Sequence, residues 1–527
     1  MLEQLSASSP PAPPQFPFLD GLETPGLCHK GWRAGNPSVR SARLRAALGM
    51  AVQSLAPAAL LLAVSITLAR ATKPGIVARI TGPGLDYALQ KGISALEKKL
   101  AEMKLPDLSG SQETPVGDVY YEFSRLNLRS FRLPSSQITP LPDVGVQVSV
   151  SNAFAQLTGN WRWKRGLFGD DGQFNLKVTG LSISVGLQLG RDASGKPTVT
   201  ASGCTTCISD VDVDAGWIYK LIIKIIKSHI KALMQSQVCR EVRSFVSTQL
   251  QPYLHALPVT AAIDTVAGVD YSLVAFPVAT AQYVDVSLKG EIFSRAHRAP
   301  APFSPPALAF PPEHGRMVYL GVSSYVFNTA SFVYQAAGCL VFSITDDVFP
   351  KEGFFHLNTS TFYHFVPQLK QRYPDRLMKL QLTTPSAPFL TIAPGGLELA
   401  LVADVQAYAI LPNASLTPLF LLHLTSNVSA SVTVSSARIC GALASGGLEL
   451  SLKHSDIGPF PVLGLQQFMN FLASNILLPL VNGKLEKGFP LPLPAHVQLS
   501  SCVLQPHQVV LLDGDLGYYI HQLEMQM

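Results

Sequence analysis

Apolar residues recur along this chain in two rhythms, and the rhythms alternate. Leu85, Leu89, Ile93, Leu96, Leu100 and Met103 return every three or four positions. That spacing puts them on one face of a helix. Gly82-Pro83 opens it and Pro106 closes it. Period two then takes over. Val144, Val146, Val148 and Val150 alternate with small or polar residues, as do Phe174, Leu176 and Val178, and then Leu181, Ile183, Val185, Leu187 and Leu189. Such alternation predicts antiparallel strands with one buried face, in a twisted sheet rolled toward a barrel. A longer helix follows, with Ile218, Ile222, Ile226, Ile230, Leu233, Val238, Val242 and Phe245 on one side.

The second half repeats this order. Met317 to Val326 and Cys339 to Ile344 read as strands, and Phe362, Phe365, Val366 and Leu369 as a short helix ending before Pro374. Leu397 to Leu401, Val405 to Ala409, Val428 to Val434 and Leu448 to Leu452 alternate. Leu465, Phe468, Leu472, Ile476 and Leu480 share a last helix face, which Pro479 should kink and Gly488 should stop. Between the halves lies Ala299 to Pro312, with six prolines in fourteen residues. Proline fixes φ and removes a donor, so this is an extended, semi-rigid connector. Phe303, Leu308 and Phe310 should pack it against its neighbours. The expected class is α+β: two similar lobes, each a twisted, barrel-like antiparallel sheet over long helices. The expected segments are 72–298, a linker at 299–312, and 313–527.

Composition changes the picture in two ways. Apolar residues make up 47% of the chain and charged residues 14%, which calls for a large buried or lipid-facing apolar surface. The formal charge of +5 gives no footing for nucleic acid. It is also unevenly spread: residues 72–270 carry 21 Lys+Arg and 17 Asp+Glu, against 13 and 15 in residues 271–527. A surface for acidic partners therefore belongs to the first lobe. The apolar run Leu55 to Leu68, followed by Ala69-Arg70-Ala71, reads as a secretory signal over residues 50–71. The run is shorter than the roughly 20 apolar residues that a membrane anchor needs. Residues 1–49, rich in Pro, Ser and Gly, read as a disordered extension or a gene-model artefact. Secretion permits disulfides and N-glycans, for which Asn358, Asn413 and Asn427 begin sequons.

Four features carry candidate chemistry. Asn160-Trp161-Arg162-Trp163-Lys164-Arg165-Gly166-Leu167-Phe168 is a compact basic-aromatic cluster, and Gly169-Asp170-Asp171-Gly172 after it reads as a turn. Two readings stand: a hairpin tip exposing tryptophans and cations together, as at a membrane interface, or tryptophans tucked into the lobe. Lys220, Lys224, Lys227 and Lys231 form a stripe about 60° wide on the second helix, either a solvated face or a cationic surface for anionic head groups. A Cys204–Cys239 bridge would tie that helix to the sheet. It would leave Cys207 as a third cysteine, with Cys339, Cys440 and Cys502 read as buried apolar residues. Lys98 and Lys99 lie near the end of the first helix. No GxSxG, HExxH, GxGxxG or P-loop pattern occurs, and the histidines form no metal-ligand series, so neither an enzyme nor a metal site is expected.

Longer stretches carry a resemblance. They include PGIVARITGPGLDYA from Pro74, FRLPSSQITPLPDVG from Phe131, SGKPTVTASGC ending at Cys204, and SQVC ending at Cys239. Further ones are LQPYLHALPV from Leu250, APFSPP in the connector, MVYLGVSSYVFNTASFVYQ from Met317, HSDIGPFPV from His454, KGFPLPLPAHVQL from Lys487 and VLQPHQ from Val503. Over nearly the whole length after the signal, the chain resembles the family of bactericidal/permeability-increasing protein and lipopolysaccharide-binding protein. That resemblance implies a boomerang of two lobes with a central sheet between them, an apolar phospholipid pocket in each lobe, and one disulfide, here Cys204–Cys239. It implies a monomeric, secreted or granule-stored innate-immune protein that binds lipid A of lipopolysaccharide on the Gram-negative outer membrane. The residues it assigns to this are Arg162, Trp163, Lys164, Arg165, Lys98 and Lys99. Gly166, Gly169, Asp170 and Asp171 stand where the family is usually more basic and apolar. The alternative is an extracellular lipid carrier with little bactericidal action.

Overall fold

The fold is given by a computed structural model. It describes residues 73–518 apart from 115–116, 143, 215–219, 309–314, 350–354, 394–395, 436, 445, 492, 494–496 and 507–509. The expected extension and signal over residues 1–71 lie outside the described residues. The chain enters through β1 (Ile76–Thr81) and turns at once into α1 (Gly82–Ala101), whose Pro83 occupies the first turn, where no intrahelical donor is needed. Leu85, Leu89, Leu96 and Leu100 bury the predicted face. The first-lobe sheet follows: β2 (Leu108–Gln112), β3 (Val119–Arg132), β4 (Ser135–Leu141), β5 (Gly145–Arg165), β6 (Phe168–Arg191) and β7 (Pro197–Asp214). Its order is β2-β3-β5-β6-β7, with β4 added on β5, and every pairing is antiparallel.

Two valine- and leucine-rich sets expected as separate strands are one. Phe174 to Val178 and Leu181 to Leu189 both belong to β6, and the inward face passes from even to odd positions at Gly180, where φ is +60°. The same switch occurs in β5 between Val150 and Ala153, at Asn152 with φ +56°. Each extra residue is a β-bulge, which bends the strand and lets one long ribbon wrap its helices. α2 (Lys220–Phe245) lies inside that wrap, with Ile226, Ile230, Met234, Val238 and Val242 almost fully buried. Cys204 on β7 and Cys239 on α2 form the bridge. It closes a separation of 35 residues and, in the chain-entropy model, contributes about 3–4 kcal/mol. Cys207 is disulfide-bonded as well.

α2 runs on through a π-turn at Val246–Leu250 into α3 (Gln251–His255). Pro252 lacks the donor for the residue four back and its ring crowds that carbonyl, and the wider turn absorbs both. β8 (Thr260–Ala262), β9 (Ala267–Asp270), β10 (Val278–Ala279), β11 (Tyr283–Leu288) and β12 (Glu291–Ser294) then lead to the proline-rich connector. β13 (Val318–Val322) follows it. The strand expected to run to Val326 stops at Val322, and α4 (Ser324–Ala336) begins instead. Its SYVFNTASFVYQA sequence is rich in β-branched and aromatic residues, so local preference hides it. Tertiary bonds fix it: Asn328 donates to the Leu390 carbonyl at 3.0 Å and accepts from the Leu390 N–H at 2.7 Å.

In the second lobe, β14 (Val341–Ile344) starts after Cys339. The expected single short helix is two pieces, α5 (Thr359–Phe362) and α6 (Gln368–Arg372). β15 (Met378–Thr383), β16 (Phe389–Ala393), β17 (Gly396–Ile410), β18 (Leu416–Ser435), β19 (Arg438–Leu443) and β20 (Leu448–Ser455) build its sheet. α7 (Leu463–Leu472) passes through a π-turn into α8 (Leu478–Leu485), with Pro479 in the first turn of α8. The arrangement copies the one at Pro252, so the expected kink takes the form of a wider turn. Cys440 is buried, whereas Cys339 is only half-buried. The side chain of Cys502 lies outside the described residues. β21 (Phe489–Pro490), β22 (Val497–Pro506) and β23 (Val510–Tyr518) end the described chain. A central sheet of order β10-β11-β1-β13-β23-β22 gathers strands from the start, middle and end of the sequence.

Candidate functional site

The basic-aromatic cluster forms the end of the β5–β6 hairpin. Arg165 pairs with Phe168, so the loop is Gly166-Leu167, three residues before the expected turn. Gly166 has φ +55° and takes the first central position of a two-residue loop, where a side chain would be strained. Gly169 to Gly172 instead lie within β6, opposite Lys164 to Trp161.

Strand alternation then sorts the cluster onto two faces. Trp161 points inward and is 7% exposed. Trp163 is half-buried on the same side. The tucked reading of the tryptophans therefore holds. Tyr121 and Phe123 of β3 and Phe174 of β6 join them inside, and Tyr121 hydrogen-bonds His229 of α2. Arg162 and Lys164 point outward and are exposed, as is Arg165. The exposed apolar residues at the tip are Leu167, fully exposed, and Phe168 at 76%. Cations and apolar side chains thus share one protruding end.

The register also brings in residues that sequence reasoning did not single out. Glu122 lies directly across from Arg162, and Tyr120 across from Lys164. Both are exposed. The alternation of Val119, Tyr121 and Phe123 as an inward set was the available signal.

Lys98 and Lys99 are not part of this end. They occupy the last turn of α1, where Lys99 lies 4.0 Å from Glu241 of α2. Their neighbour Glu97 is bonded to Arg132 and to the Leu133 N–H. Arg132 pairs with Phe154, roughly 30 Å along β5 from Lys164. In the lysine stripe of α2, Lys227 is answered by acid. Asp210, Asp212 and Asp214 line the outward face of β7, and Lys227 lies 3.7 Å from Asp210. The Val211 N–H and the Lys227 ammonium hold the Asp210 carboxyl below its usual range. That is the solvated-face arrangement.

The sequon asparagines differ in setting. Asn413 is exposed in a turn and Asn427 is exposed on β18, whereas Asn358 is half-buried and caps α5 by accepting from the Thr361 N–H.

Comparison with known proteins accounts for both lobes. The N-terminal domain of the LBP / BPI / CETP family matches residues 84–253, and its C-terminal domain matches residues 261–518. The human lipopolysaccharide-binding protein is 42% identical over 473 residues, 89% of this chain and 98% of that one. The rat bactericidal permeability-increasing protein is 38% identical over 465 residues, 87% and 96% of the two chains. A crystal structure of lipopolysaccharide binding protein superposes with a TM-score of 0.59 at 38% identity, covering 85% of this chain and 99% of that one. The two-lobed α+β architecture and the match across both lobes make this chain a member of the LBP / BPI / CETP family.

Proposed function

We propose that this protein binds lipopolysaccharide through the β5–β6 tip of the first lobe, as a secreted protein of innate defence. The observation that carries the reading is the joint exposure of Arg162, Lys164 and Arg165 with Leu167 and Phe168 on one protruding hairpin. Lipid A offers phosphates beside acyl chains, and this end offers cations beside apolar side chains. Relatives named for lipopolysaccharide binding support it. The test is binding of the full chain to lipopolysaccharide across a salt series. Affinity is expected to fall as salt rises, because exposed charges are screened. Replacing Arg162, Lys164 and Arg165 with Ala should weaken it on the order of ten-fold or more. Unchanged affinity in that variant would move the site elsewhere.

The same reading includes a bound phospholipid in each lobe, N-glycans on Asn413, Asn427 and Asn358, a monomer, and action at the Gram-negative outer membrane by binding rather than catalysis. Solvent extraction of the purified protein followed by mass spectrometry is expected to release phospholipid. A lipid-free chain that keeps its fold would count against that part.

A further inference from the structure

Arg162 does not stand among cations. Glu122 lies directly across from it on β3, and Asp171 directly across on β6. Lys164, one pair nearer the turn, stands between Tyr120 on β3 and Gly169 on β6. A Cβ on Gly169 would lie 3.1 Å from Cγ of Lys164, so the lysine stem lies over that glycine. Tyr120, Glu122, Arg162 and Lys164, with Ser109 and Ser111 of β2, border an open groove of about 430 Å³. Among the described residues, Glu122, Arg162 and Lys164 take part in no ion pair, so their charges are available to a ligand.

At Arg162 this pattern weakens the hold on a bare phosphate. A dianion drawn to Arg162 also meets the two carboxylates flanking it, one strand spacing away on each side, and much of the attraction cancels. A phosphate that carries its own amine escapes the cancellation. The cations sit on β5, while the carboxylate of Glu122 and the ring of Tyr120 sit on β3, about 4.8 Å away. A carboxylate beside an aromatic face suits an ammonium or trimethylammonium group. The two-carbon bridge of an ethanolamine or choline phosphate spans such a gap.

We infer that the groove behind the tip is a subsite for a zwitterionic phospho-amine, phosphoethanolamine or phosphocholine. Arg162 and Lys164 take the phosphate, and Glu122 and Tyr120 take the amine. The inference rests on the reading of this tip as lipid-binding and adds a subsite to it: beside Arg162, Glu122 and Asp171 favour head groups whose phosphate is internally neutralised, while the turn end of the hairpin still meets lipid A.

The test is ligand-observed NMR titration of the full chain with soluble phosphocholine and phosphoethanolamine, against choline and inorganic phosphate alone. The zwitterions are expected to bind at least about ten-fold more tightly than either half. Tyr120→Leu should weaken phosphocholine roughly two- to five-fold. Glu122→Gln should weaken both zwitterions while strengthening inorganic phosphate. Inorganic phosphate binding as tightly as phosphocholine would overturn the inference, as would an unchanged ratio in Glu122→Gln.

Competition by phosphatidylcholine or phosphatidylethanolamine vesicles, but not by phosphatidylglycerol vesicles, would identify a lipid head group as the source. Zwitterion binding without vesicle competition would support the subsite and identify a soluble ester. The two proposals fail separately. A chain that prefers phosphocholine but does not bind lipopolysaccharide loses only the lipid A reading. One that binds lipopolysaccharide with an unchanged Glu122→Gln ratio loses only the subsite.

Discussion

The inner side of the tip is held by rings lying over glycines. A Cβ on Gly172 would come within 2.9 Å of the Trp161 indole, and one on Gly159 within 2.7 Å of the Phe174 ring. These contacts let large rings lie flat against the sheet, where they cover backbone a side chain would otherwise cover. Gly172→Ala should therefore lift the Trp161 ring and cost on the order of 1–3 kcal/mol. Thermal denaturation checks it, and an unshifted midpoint would show that the ring is not clamped. Trp161 also shows why the residue scale was only half legible. Its alternation with Leu157, Gly159 and Trp163 points all of them inward, but the clear valine series before them has the opposite parity. Nothing in the sequence beyond Ser151-Asn152 marks the bulge that reverses it. Both readings of the tryptophans stayed open until the register was known.

At the scale of elements, the sequence was most legible where one period persisted. The face of α1 and that of α2 from Ile226 onward were correct to within a few residues, because apolar spacing at 3.6 is sustained over many turns; Ile218 and the side chain of Ile222 lie outside the described residues. The alternating sets at 146–150, 174–178 and 181–189 do lie in strands, but β1, β3 and β4 were not singled out, and strand count was not right. Gly180 and Asn152 break the alternation without ending the strand, so β6 was read as two pieces. α4 was missed because its own residues favour strand, and its helix is stabilised by contacts distant in sequence, from Asn328 to Leu390 and from Thr329 to the Ile292 N–H. The lysine stripe shows the converse limit. Its spacing on α2 was readable, but Asp210, which pairs with Lys227, comes from β7, and only packing brings the two together. The candidate site was incomplete for the same cause. Its basic residues were visible in sequence, while their partners Tyr120 and Glu122 lie some forty residues away and arrive through strand register.

The whole molecule is held at its middle, and the connector takes part. Arg298, one residue before the proline-rich run, is paired with Asp270 and lies 4.3 Å over the Phe293 ring. Lys289 reaches both Asp270 at 3.5 Å and Glu291 at 3.1 Å, and the Tyr325 hydroxyl donates to Glu291 at 2.9 Å. Burial, and then Glu291 beside it, pushes the pKa of Tyr325 up, so the hydroxyl remains a donor across the physiological range. Phe303 of the connector completes the clasp, its ring 5.7 Å from Tyr325 and 6.4 Å from Phe332. Asp270 and Glu291 are 4% and 5% exposed, so their charges depend on these partners. Among the described residues of the connector, 299–308, no backbone hydrogen bond holds it, and its attachment there is made by Arg298 just before it and by Phe303. Replacing both with Ala should leave the two lobe cores intact, since Arg298 and Phe303 belong to neither. It should free the connector, at a cost of roughly 1–2 kcal/mol for the lost charged hydrogen bond and more for the ring. Limited proteolysis reads the outcome directly: the double variant should be cut between residues 299 and 308 under conditions that leave the parent whole, and should release fragments that correspond to the lobes. An unchanged cleavage pattern would mean that the central sheet alone, whose strands come from the start, middle and end of the chain, is sufficient to hold the connector in place.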